Sequence, residues 1–436
     1  MDKIYLKLPA LLQNIAITIY SLVTYKRKYP ANLDNGLLNS EYKIVEAQFD
    51  KMIKHAVANV PYYNKYFELN DLKPSDVNIK NYKSILPVIN KEMLRQNPED
   101  FYSLNNSESV IDLFTSGTTG SPFRVKSFVA DRRLNYSFFG AVLEKNGASF
   151  FSESATFSGR VLFEGVKRGL YWRRDSFLKT TYFSSYHISE ITAPYYLEEL
   201  ERCAPVYIDA YPSAILELAR YINNKSTKLK FSPKFIITTA EVLSPFARVQ
   251  IESAFNCSVI DQYGCTEMAV MAYSECDNKY NFPPLYSLVE FLPSEVEGAQ
   301  KIIATGLVNR AMPLLRYDTG DLCVGGVENN LHQICQTIIG RDDDIIETPS
   351  GKKVGRLDPV FKGVVGVESA QIVQDAIDSL VVYVVISHDA KEDIYSKVLI
   401  NNIKRRVGDE MSVKIIEVDA LELTASGKFK SVVSLI

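Results

Sequence analysis

From about residue 110 onward, short runs of apolar and β-branched residues alternate with stretches of helical periodicity. This alternation constrains the fold of the 436-residue chain more than any other feature of its sequence. Strands are predicted at Val110–Phe114, Phe235–Thr239 and Ser258–Asp261, and helices at Pro212–Asn223 and Pro245–Phe255. Because helices that follow strands pack on the faces of the sheet, the pattern predicts layered α/β architecture.

Two regions flank this alternation. Before it, the apolar spacing of Lys43–Ala58 predicts a helix that stops at Pro61. After it, Lys301–Thr305 and Ile334–Ile339 have the composition of strands in a region richer in β structure.

The best candidate for a domain boundary is Arg341–Asp344, where three consecutive aspartates interrupt the apolar pattern. Beyond it, strands are predicted at Leu380–Ile386 and Val413–Val418, and a helix at Ile394–Val407. The sequence therefore predicts a large domain over residues 1–341 and a small α+β domain over residues 342–436.

Composition excludes several classes of function. The net charge of −3 gives no reason to expect nucleic acid as a partner, since such partners usually select a basic surface. The six cysteines form no CxxC pair and the four histidines are scattered. Neither a disulfide framework nor a zinc cage is therefore expected, and reduced thiols in a cytoplasmic protein are the simplest interpretation.

The N-terminal segment Leu8–Thr24 is apolar and has basic residues on both sides. It lacks the small-residue cleavage site of a signal peptide. A spanning helix needs about 20 apolar residues, and this run is shorter and broken by Gln13 and Asn14. The favoured interpretation is a buried or surface-packed amphipathic helix. The alternative is peripheral membrane contact, with the apolar face down and basic flanks at the surface.

A hydrophobic run is followed directly by the hexapeptide Thr115-Ser116-Gly117-Thr118-Thr119-Gly120. Its glycines let backbone N–H groups approach an anion closely, and its hydroxyls add donors. This is how a polyphosphate is held, although a solvated turn has the same composition. A Walker loop would end in Gly-Lys-Ser/Thr, whereas Ser121-Pro122-Phe123 follows here.

Three later blocks carry complementary chemistry. Tyr263-Gly264-Cys265-Thr266-Glu267 offers a ring that can stack on a base and a carboxylate suited to Mg²⁺. In Arg316–Asp321, the carboxylate of Asp321 follows a turn and can accept hydrogen bonds from a ribose diol. Thr424–Lys428 puts a lysine on a glycine-containing loop near the C-terminus.

Together with Gly340–Asp344, these blocks resemble, in order and separation, the motifs of the adenylate-forming superfamily. That superfamily contains acyl-CoA synthetases, adenylation domains of peptide synthetases and luciferases. The last block, extended to Leu423–Lys428, matches the block of the catalytic lysine. Each match is moderately specific, but five collinear matches across the whole chain are far more so.

The branch can be narrowed by two further resemblances. Val60–Tyr63 and Leu86–Lys91 resemble the N-terminal region of phenylacetate–CoA ligase-like proteins, and Leu8–Asn14 is similar to that of their CapK-like members in capsule biosynthesis. The resemblance implies an α/β fold with a large N-terminal adenylate-forming domain of layered sheets and helices. A small mobile α+β C-terminal domain would carry the catalytic lysine.

The resemblance also implies roles for individual residues. Lys428 would bridge the carboxylate oxygen and the α-phosphate, Thr266 would contact the α-phosphate, and Glu267 would hold the metal. The implied nucleotide-binding residues are Thr115, Ser116, Gly117, Thr118, Thr119, Gly120, Thr239, Ala240, Glu241, Gln262, Tyr263, Gly264, Asp321 and Arg341. The implied acyl-pocket residues are Tyr186, His187 and Tyr211, and Asp343 takes the hinge position.

Some of these residues also have a purely structural interpretation. Lys428 and the aspartates near Asp343 can be solvated loop residues, and His187 can be a partly buried structural histidine. The aromatic residues around the predicted pocket either receive an aryl acid or belong to the core; they are Phe138, Phe139, Tyr182, Phe183 and Tyr186. The lysine that often follows the phosphate loop in this branch is Ser121 here, and Arg124 or Lys126 are its candidate substitutes.

The activity implied is ATP- and Mg²⁺-dependent conversion of a carboxylic acid into its acyl-adenylate, followed by acyl transfer to CoA. A second hypothesis is transfer to an amine, giving an amide in surface polysaccharide biosynthesis. A third is a degenerate nucleotide-binding protein without catalysis, against which the intact Lys428, Glu267 and Asp321 argue. Oligomerisation is left open.

Overall fold

The computed structural model describes most of the chain. The described residues are 2–29, 35–38, 41–105, 107–115, 123–160, 162–163, 170–274, 278–341, 346–351, 353–354, 357, 360, 364–386, 392–422 and 429–436. Three predicted site segments therefore lie outside them: Ser116–Gly120 of the phosphate loop, Asp343 and Lys428.

The N-terminal region is helical. Its helices are α1 (Asp2–Lys7), α2 (Ala10–Lys28), α3 (Tyr42–Asn59), α4 (Pro61–Leu69), α5 (Tyr82–Ile85) and α6 (Lys91–Gln96). The predicted helix Lys43–Ala58 is confirmed as α3. The expectation that Pro61 merely stops it is incomplete, because Pro61 also begins α4. Proline is well suited to the first turn of a helix, where its missing N–H would have no partner.

A hairpin and a ten-stranded sheet follow. The elements up to the end of the parallel part of that sheet are β1 (Val110–Phe114), β2 (Arg124–Phe128), α7 (Val129–Lys145), β3 (Ser154–Phe157), β4 (Trp172–Asp175), β5 (Thr180–Phe183), α8 (Ala193–Cys203), β6 (Tyr207–Ala210), α9 (Pro212–Asn224), β7 (Phe235–Thr239), α10 (Pro245–Phe255) and β8 (Ser258–Gly264). The strands and helices predicted here from local pattern are confirmed.

The next strands complete two sheets. They are β9 (Met271–Ser274), β10 (Tyr280–Phe282), β11 (Ser287–Pro293), β12 (Gln300–Gly306), β13 (Tyr317–Val324), β14 (Val327–Asn329), β15 (His332–Cys335) and β16 (Thr337–Arg341). The ten-stranded sheet has the order β14-β15-β10-β9-β8-β7-β6-β3-β5-β4, and β11-β12-β13-β16 forms a second sheet.

The prediction of a single strand at Ile334–Ile339 is wrong, because the structure has two strands there, β15 and β16. β15 pairs with β10 and β14, whereas β16 pairs with β13 in the other sheet. The chain changes sheets at Gln336, whose N–H donates to the carbonyl of Val324 at 2.9 Å. An uninterrupted apolar run does not reveal such a change of partner.

Five strands, in the order β5-β3-β6-β7-β8, are parallel to one another. Helices α9 and α10 cover this part of the sheet, and the buried stripe of α9 packs in the same core as Ile208 and Ile236. Because parallel strands end at one edge, the segments that follow these five strands lie along the same side of the sheet. Ligands of open α/β sheets bind at this carboxyl edge.

The pocket aromatics divide between the two interpretations. Phe138, Tyr182 and Phe183 are buried within the hydrophobic core, which favours the core interpretation for these three. Phe139 packs against that core and is partly buried. Tyr186 is half-buried at the carboxyl edge, just beyond β5.

The C-terminal region has its own sheet and core. Its elements are β17 (Ile346–Glu347), β18 (Lys353–Val354), β19 (Val367–Ala376), β20 (Ser379–Ile386), α11 (Glu392–Val407), β21 (Ser412–Glu417) and β22 (Val432–Ser434). Alternate residues of β20 pack against α11, and the buried residues of this cluster all come from residues 346–411. The predicted boundary after residue 341 remains a prediction.

Candidate active site

Most of the described predicted site residues follow the parallel strands at the carboxyl edge. Thr239, Ala240 and Glu241 come at the end of β7, and Gln262–Glu267 comes at the end of β8. The two blocks are adjacent because Thr239 lies opposite Gln262 in the pairing of these strands. Two blocks that are separate in sequence therefore border one site, as the order of parallel strands requires.

Several turns at this edge have strained backbone. Ala240, Met268 and Arg316 have φ values of 72°, 56° and 51°, in the left-handed region that side chains with a Cβ atom rarely adopt. Such positions cost about 1–3 kcal/mol each and persist only where surrounding contacts hold them. At Arg316 the restraint is visible: its guanidinium makes two 2.9 Å hydrogen bonds to the carboxylate of Glu290.

The hydroxyl of Tyr263 donates a 2.6 Å hydrogen bond to Oδ2 of Asp321 and lies 3.4 Å from Oγ1 of Thr319. Burial, and next the Asp321 carboxylate, raise the pKa of Tyr263 well above its usual value. The phenol therefore stays protonated and orients the predicted ribose ligand. Asp321 also lies opposite Arg341 in the pairing of β13 with β16, so two residues predicted separately are cross-strand neighbours.

Glu267, the predicted metal ligand, is buried with 4% of its surface exposed. Its Oε1 lies 3.2 Å from Nζ of Lys91 and accepts a long hydrogen bond, at 3.4 Å, from the hydroxyl of Tyr317. The ammonium group of Lys91 partly neutralises a carboxylate that would otherwise be an isolated buried charge.

Lys91 reaches this position because the segment before it is attached to β13. The N–H of Ile89 donates to the carbonyl of Arg316 at 3.0 Å, and the N–H of Asp318 donates to the carbonyl of Ile89 at 2.8 Å. Sequence reasoning assigned no role to Lys91, although it closes the Leu86–Lys91 block. A lysine at the end of that block was the available signal.

The two residues suggested as substitutes for the missing loop lysine are engaged elsewhere. Arg124 pairs with Asp112 across the β1–β2 hairpin at 2.9 and 3.1 Å. Nζ of Lys126 lies 4.0 Å from the ring centroid of Tyr102 and 3.7 Å from Glu99. Among the described residues, Lys91 is the cation in contact with Glu267.

The base of the phosphate loop is closed by Thr115. Its N–H donates to the carbonyl of Phe123 at 3.0 Å, and the N–H of Phe123 donates back to its Oγ1 at 3.1 Å. The buried side chain of Asn309 then joins the hairpin to the metal-ligand block. Its Nδ2 donates to the carbonyls of Lys126 and Glu267, at 3.0 and 3.2 Å. Asn309 was not singled out from the sequence.

The donors near Glu267 suit a magnesium ion that is held mainly by its substrate. Within the described ranges, no cluster of three or more histidine, cysteine or acidic side chains could form a protein metal cage. Mg²⁺ usually takes one or two carboxylates together with substrate phosphates and water. A single buried carboxylate beside Thr266 fits that arrangement.

Glu241 connects three parts of the site. Its carboxylate accepts hydrogen bonds from the N–H and the hydroxyl of Ser213, at 2.9 and 3.0 Å, near the first turn of α9. Oε1 also accepts a 2.6 Å hydrogen bond from the N–H of Phe429. A carboxylate is favoured at a helix N-terminus by the unpaired N–H groups and the helix dipole.

The predicted acyl-pocket residues come from the turns after β5 and β6. The hydroxyl of Tyr186 donates to the carbonyl of Gly159 at 2.8 Å. Burial is the main cause that raises the pKa of Tyr211, and the nearby Glu241 and Tyr186 raise it further. His187 contacts Oγ of Ser184 at 2.7 Å through Nδ1, and burial lowers its pKa. This supports a neutral, structurally satisfied histidine.

Comparison with known proteins gives matches along nearly the whole chain. Residues 346–435 match the family described as the CapK C-terminal domain. The chain is 25% identical to protein CapK of Staphylococcus aureus, over 98% of each chain. It is 24% identical to a phenylacetate-coenzyme A ligase of Aromatoleum evansii, over 94% of this chain and 98% of that protein.

Solved structures share the fold. 2-Hydroxyisobutyryl-CoA ligase in its postadenylation state superposes with a TM-score of 0.69 at 17% identity, over 90% of this chain and 89% of that one. The same ligase in its thioesterification state gives 0.51, with the same identity and coverage. An acyl acid amido synthetase gives 0.61 at 12% identity, over 94% and 95% of the two chains. These similarities show that the chain shares its fold with carboxylate-activating ligases.

Proposed function

We propose that this chain, a CapK-like member of the phenylacetate–CoA ligase-like branch of the adenylate-forming superfamily, uses ATP to convert a carboxylic acid into its acyl-adenylate. The observation that carries the proposal is the hydrogen bond from Phe429 to Glu241. Phe429 directly follows Lys428, and Glu241 belongs to the predicted adenine-binding block. The contact supports action of the Leu423–Lys428 block at the carboxyl edge of the large sheet.

In the proposed reaction, an oxygen of the substrate carboxylate attacks the α-phosphorus of ATP. A bond forms between that carboxylate oxygen and the α-phosphorus. The bond between the α-phosphorus and the oxygen bridging the α- and β-phosphates breaks, and pyrophosphate leaves with that electron pair. The main obstacle is the meeting of two anions. Cations and N–H donors fixed in place around the developing negative charge lower the activation barrier, and this is usually the largest single contribution to catalysis.

We propose the following roles for the site residues. Asp321, held by Tyr263, binds the ribose hydroxyls, and the turns at Thr239–Glu241 and Gln262–Gly264 surround the adenine. Thr115–Gly120 binds the β- and γ-phosphates. Glu267 would hold Mg²⁺, which when bound supplies charge neutralisation at the phosphate oxygens, and Thr266 would contact the α-phosphate.

Lys91 takes part in this proposal as a positioning residue. Its ammonium lies 3.2 Å from Glu267, in a site where the usual loop lysine is replaced by Ser121. We infer that Lys91 holds the Glu267 carboxylate in place and contributes positive charge on the polyphosphate side. Lys428 would contribute charge at the α-phosphate.

The acceptor proposed for the acyl group is CoA, in line with the ligase of Aromatoleum evansii named above. The alternative is an amine, which would give an amide within surface polysaccharide assembly. A cytoplasmic location, where ATP and CoA are available, is part of the proposal. The substrate acid is proposed to enter beside Tyr186 and Tyr211, and these aromatic side chains suit an aryl or medium-length apolar acid.

A screen of carboxylic acids by pyrophosphate release tests the proposal. The full chain is incubated with ATP, Mg²⁺ and each acid, first alone, then with CoA and then with amino sugars. Acid-dependent release supports adenylation, and consumption of free thiol or formation of amide identifies the acceptor. Calorimetry with ATP covers the third hypothesis: binding without acid-dependent release for any acid would indicate a non-catalytic nucleotide-binding protein.

A further inference from the structure

The side of helix α2 that packs against the rest of the chain carries polar residues together with Ile17 and Tyr25. Gln13 is fully buried, and its Nε2 donates to the carbonyls of Leu162 and Tyr5, at 3.0 and 2.8 Å. Its Oε1 accepts from Nε of Arg173 on β4. The residue that breaks the apolar run in the sequence is therefore the one that anchors the helix.

The same side of α2 covers the edge of the ten-stranded sheet. Oδ1 of Asn14 accepts from the N–H of Arg174 at 3.0 Å, and Oγ1 of Thr18 accepts from the N–H of Ser176 at 3.0 Å. Because β4 is the last strand of the sheet, its outward N–H groups need partners from outside. Asn14 supplies an acceptor for one of these groups, the N–H of Arg174, and Thr18 supplies one for Ser176, just beyond the strand.

The opposite side of α2 is apolar and faces solvent. The six residues that form this apolar stripe are Leu11 (70% exposed), Leu12 (46%), Ile15 (48%), Ile19 (55%), Leu22 (57%) and Val23 (72%). At 100° per residue they fall within an arc of about 120° along a helix of roughly 28 Å. Surface helices usually turn their apolar side toward the core. In α2 the apolar stripe instead faces solvent.

Basic residues stand at both ends of the apolar stripe. Lys3 and Lys7 precede α2, and its last three residues are Lys26, Arg27 and Lys28. No acidic residue occurs between Lys3 and Lys28. An apolar stripe flanked by basic residues suits an anionic membrane surface, because acyl chains accept the apolar side chains and anionic headgroups attract the basic ones.

We propose that α2 docks the protein on anionic phospholipid membranes, lying in the plane of the interface with its apolar stripe against the acyl chains. No helix of the described residues is long and apolar enough to cross a membrane. A second copy of the chain is a poorer occupant. Pairing two α2 helices in either direction would place their cationic ends against each other.

We expect the contact to be reversible, because an interfacial amphipathic helix is held by its buried apolar area and by attraction to anionic lipids, and does not insert as a spanning helix does. It weakens as salt screens the cationic ends. The proposal does not depend on the catalytic assignment, since the apolar stripe and the candidate active site share no residue. Membrane binding and adenylation can therefore fail separately.

Co-sedimentation of the full chain with vesicles tests the proposal. One set is phosphatidylcholine alone and the other also contains phosphatidylglycerol. The test variant is Leu11→Gln/Ile15→Gln/Leu22→Gln, since glutamine keeps helix propensity while removing apolar surface. The matched control is Ile44→Gln/Leu69→Gln/Val249→Gln, which changes three exposed apolar residues elsewhere.

We expect wild type and control to bind the anionic vesicles, more weakly at high salt, and the test variant to lose roughly tenfold or more in partition coefficient. Circular dichroism and ATP binding of the test variant should match wild type, which excludes misfolding. Equal binding by test variant and wild type would overturn the proposal. So would absence of binding to both vesicles, or a concentration-dependent dimer that the test variant abolishes.

Discussion

The backbone N–H of Phe429 donates a 2.6 Å hydrogen bond to Oε1 of Glu241. The two residues are 188 positions apart in the chain. The same carboxylate accepts two hydrogen bonds from Ser213 at the start of α9. Glu241 thus joins the C-terminal segment to the turn after β7 and to a helix N-terminus.

Replacing Glu241 with glutamine should slow adenylation. The amide keeps the size of the side chain but loses the charge that strengthens all three hydrogen bonds, each worth about 1.5–3 kcal/mol when one partner is ionised. We expect carboxylate-dependent ATP–pyrophosphate exchange to fall roughly tenfold. The matched control is Glu190→Gln, an exposed carboxylate paired with Lys225. Exchange at the wild-type rate in Glu241→Gln would show that the contact plays no part in adenylation.

Lys91→Ala tests the positioning role of Lys91. The change leaves the buried Glu267 without its cation, so we expect exchange to fall roughly 10- to 100-fold. The apparent KM for MgATP should rise, and Lys91→Arg should restore part of the rate. Lys83→Ala, which removes the surface pair with Glu328, serves as control. A loss of thermal stability without any change in KM for MgATP would instead indicate a purely structural ion pair.

Tyr263→Phe removes the hydroxyl that orients Asp321. A hydrogen bond to a carboxylate is worth about 1.5–3 kcal/mol, so the KM for ATP should rise roughly tenfold. Burial and Asp321 raise the pKa of Tyr263, so its hydroxyl keeps its proton between about pH 7 and 10. Over this range the hydrogen bond to Asp321 should persist, and its titration should not alter the KM of the wild type for ATP. Tyr20→Phe, at an exposed tyrosine, is the control. An unaltered KM in Tyr263→Phe would remove the assignment of this pair to the ribose.

The hinge proposal for Asp343 is tested by Asp343→Pro. Proline fixes φ near −65°, so it should spare the first half-reaction and block acyl transfer. Single-turnover measurements of acyl-adenylate formation and of its consumption by the acceptor separate the two steps. Asp343→Ala, which leaves the backbone free to rotate, should support both. Loss of both half-reactions in the proline variant alone would place the hinge elsewhere.

Local pattern predicted β7 and β8 of the five parallel strands, and the helix between them, but not β3, β5 or β6. The strand ends at Thr239 and near Gln262 are visible in the residues around them. Because the two strands pair in parallel, the site blocks that follow them lie at the same edge of the sheet. Contacts between distant segments were not predictable. Lys91 meets Glu267 only because Ile89 is attached to Arg316 across the fold. No periodicity carries that information.

Helix α2 shows why hydrophobic pattern alone was insufficient. The sequence predicts a buried or surface-packed amphipathic helix, and a surface-packed helix is confirmed. Which side of the helix packs was not predicted, and the structure places Asn14 against the edge strand β4. Asn14 accepts from the N–H of Arg174 in that strand and Thr18 from the N–H of Ser176 just beyond it, while the apolar stripe stays exposed.

The central claim is that the chain forms acyl-adenylates with Lys428 as the residue that neutralises charge at the α-phosphate. The most direct test is carboxylate-dependent ATP–pyrophosphate exchange by wild type and Lys428→Ala, with ATP binding measured in both. We expect an acid that supports exchange by the wild type, and a loss of roughly 100- to 1000-fold in Lys428→Ala with little change in ATP binding. Near-normal exchange in Lys428→Ala, or no exchange by the wild type with any acid, would contradict the account.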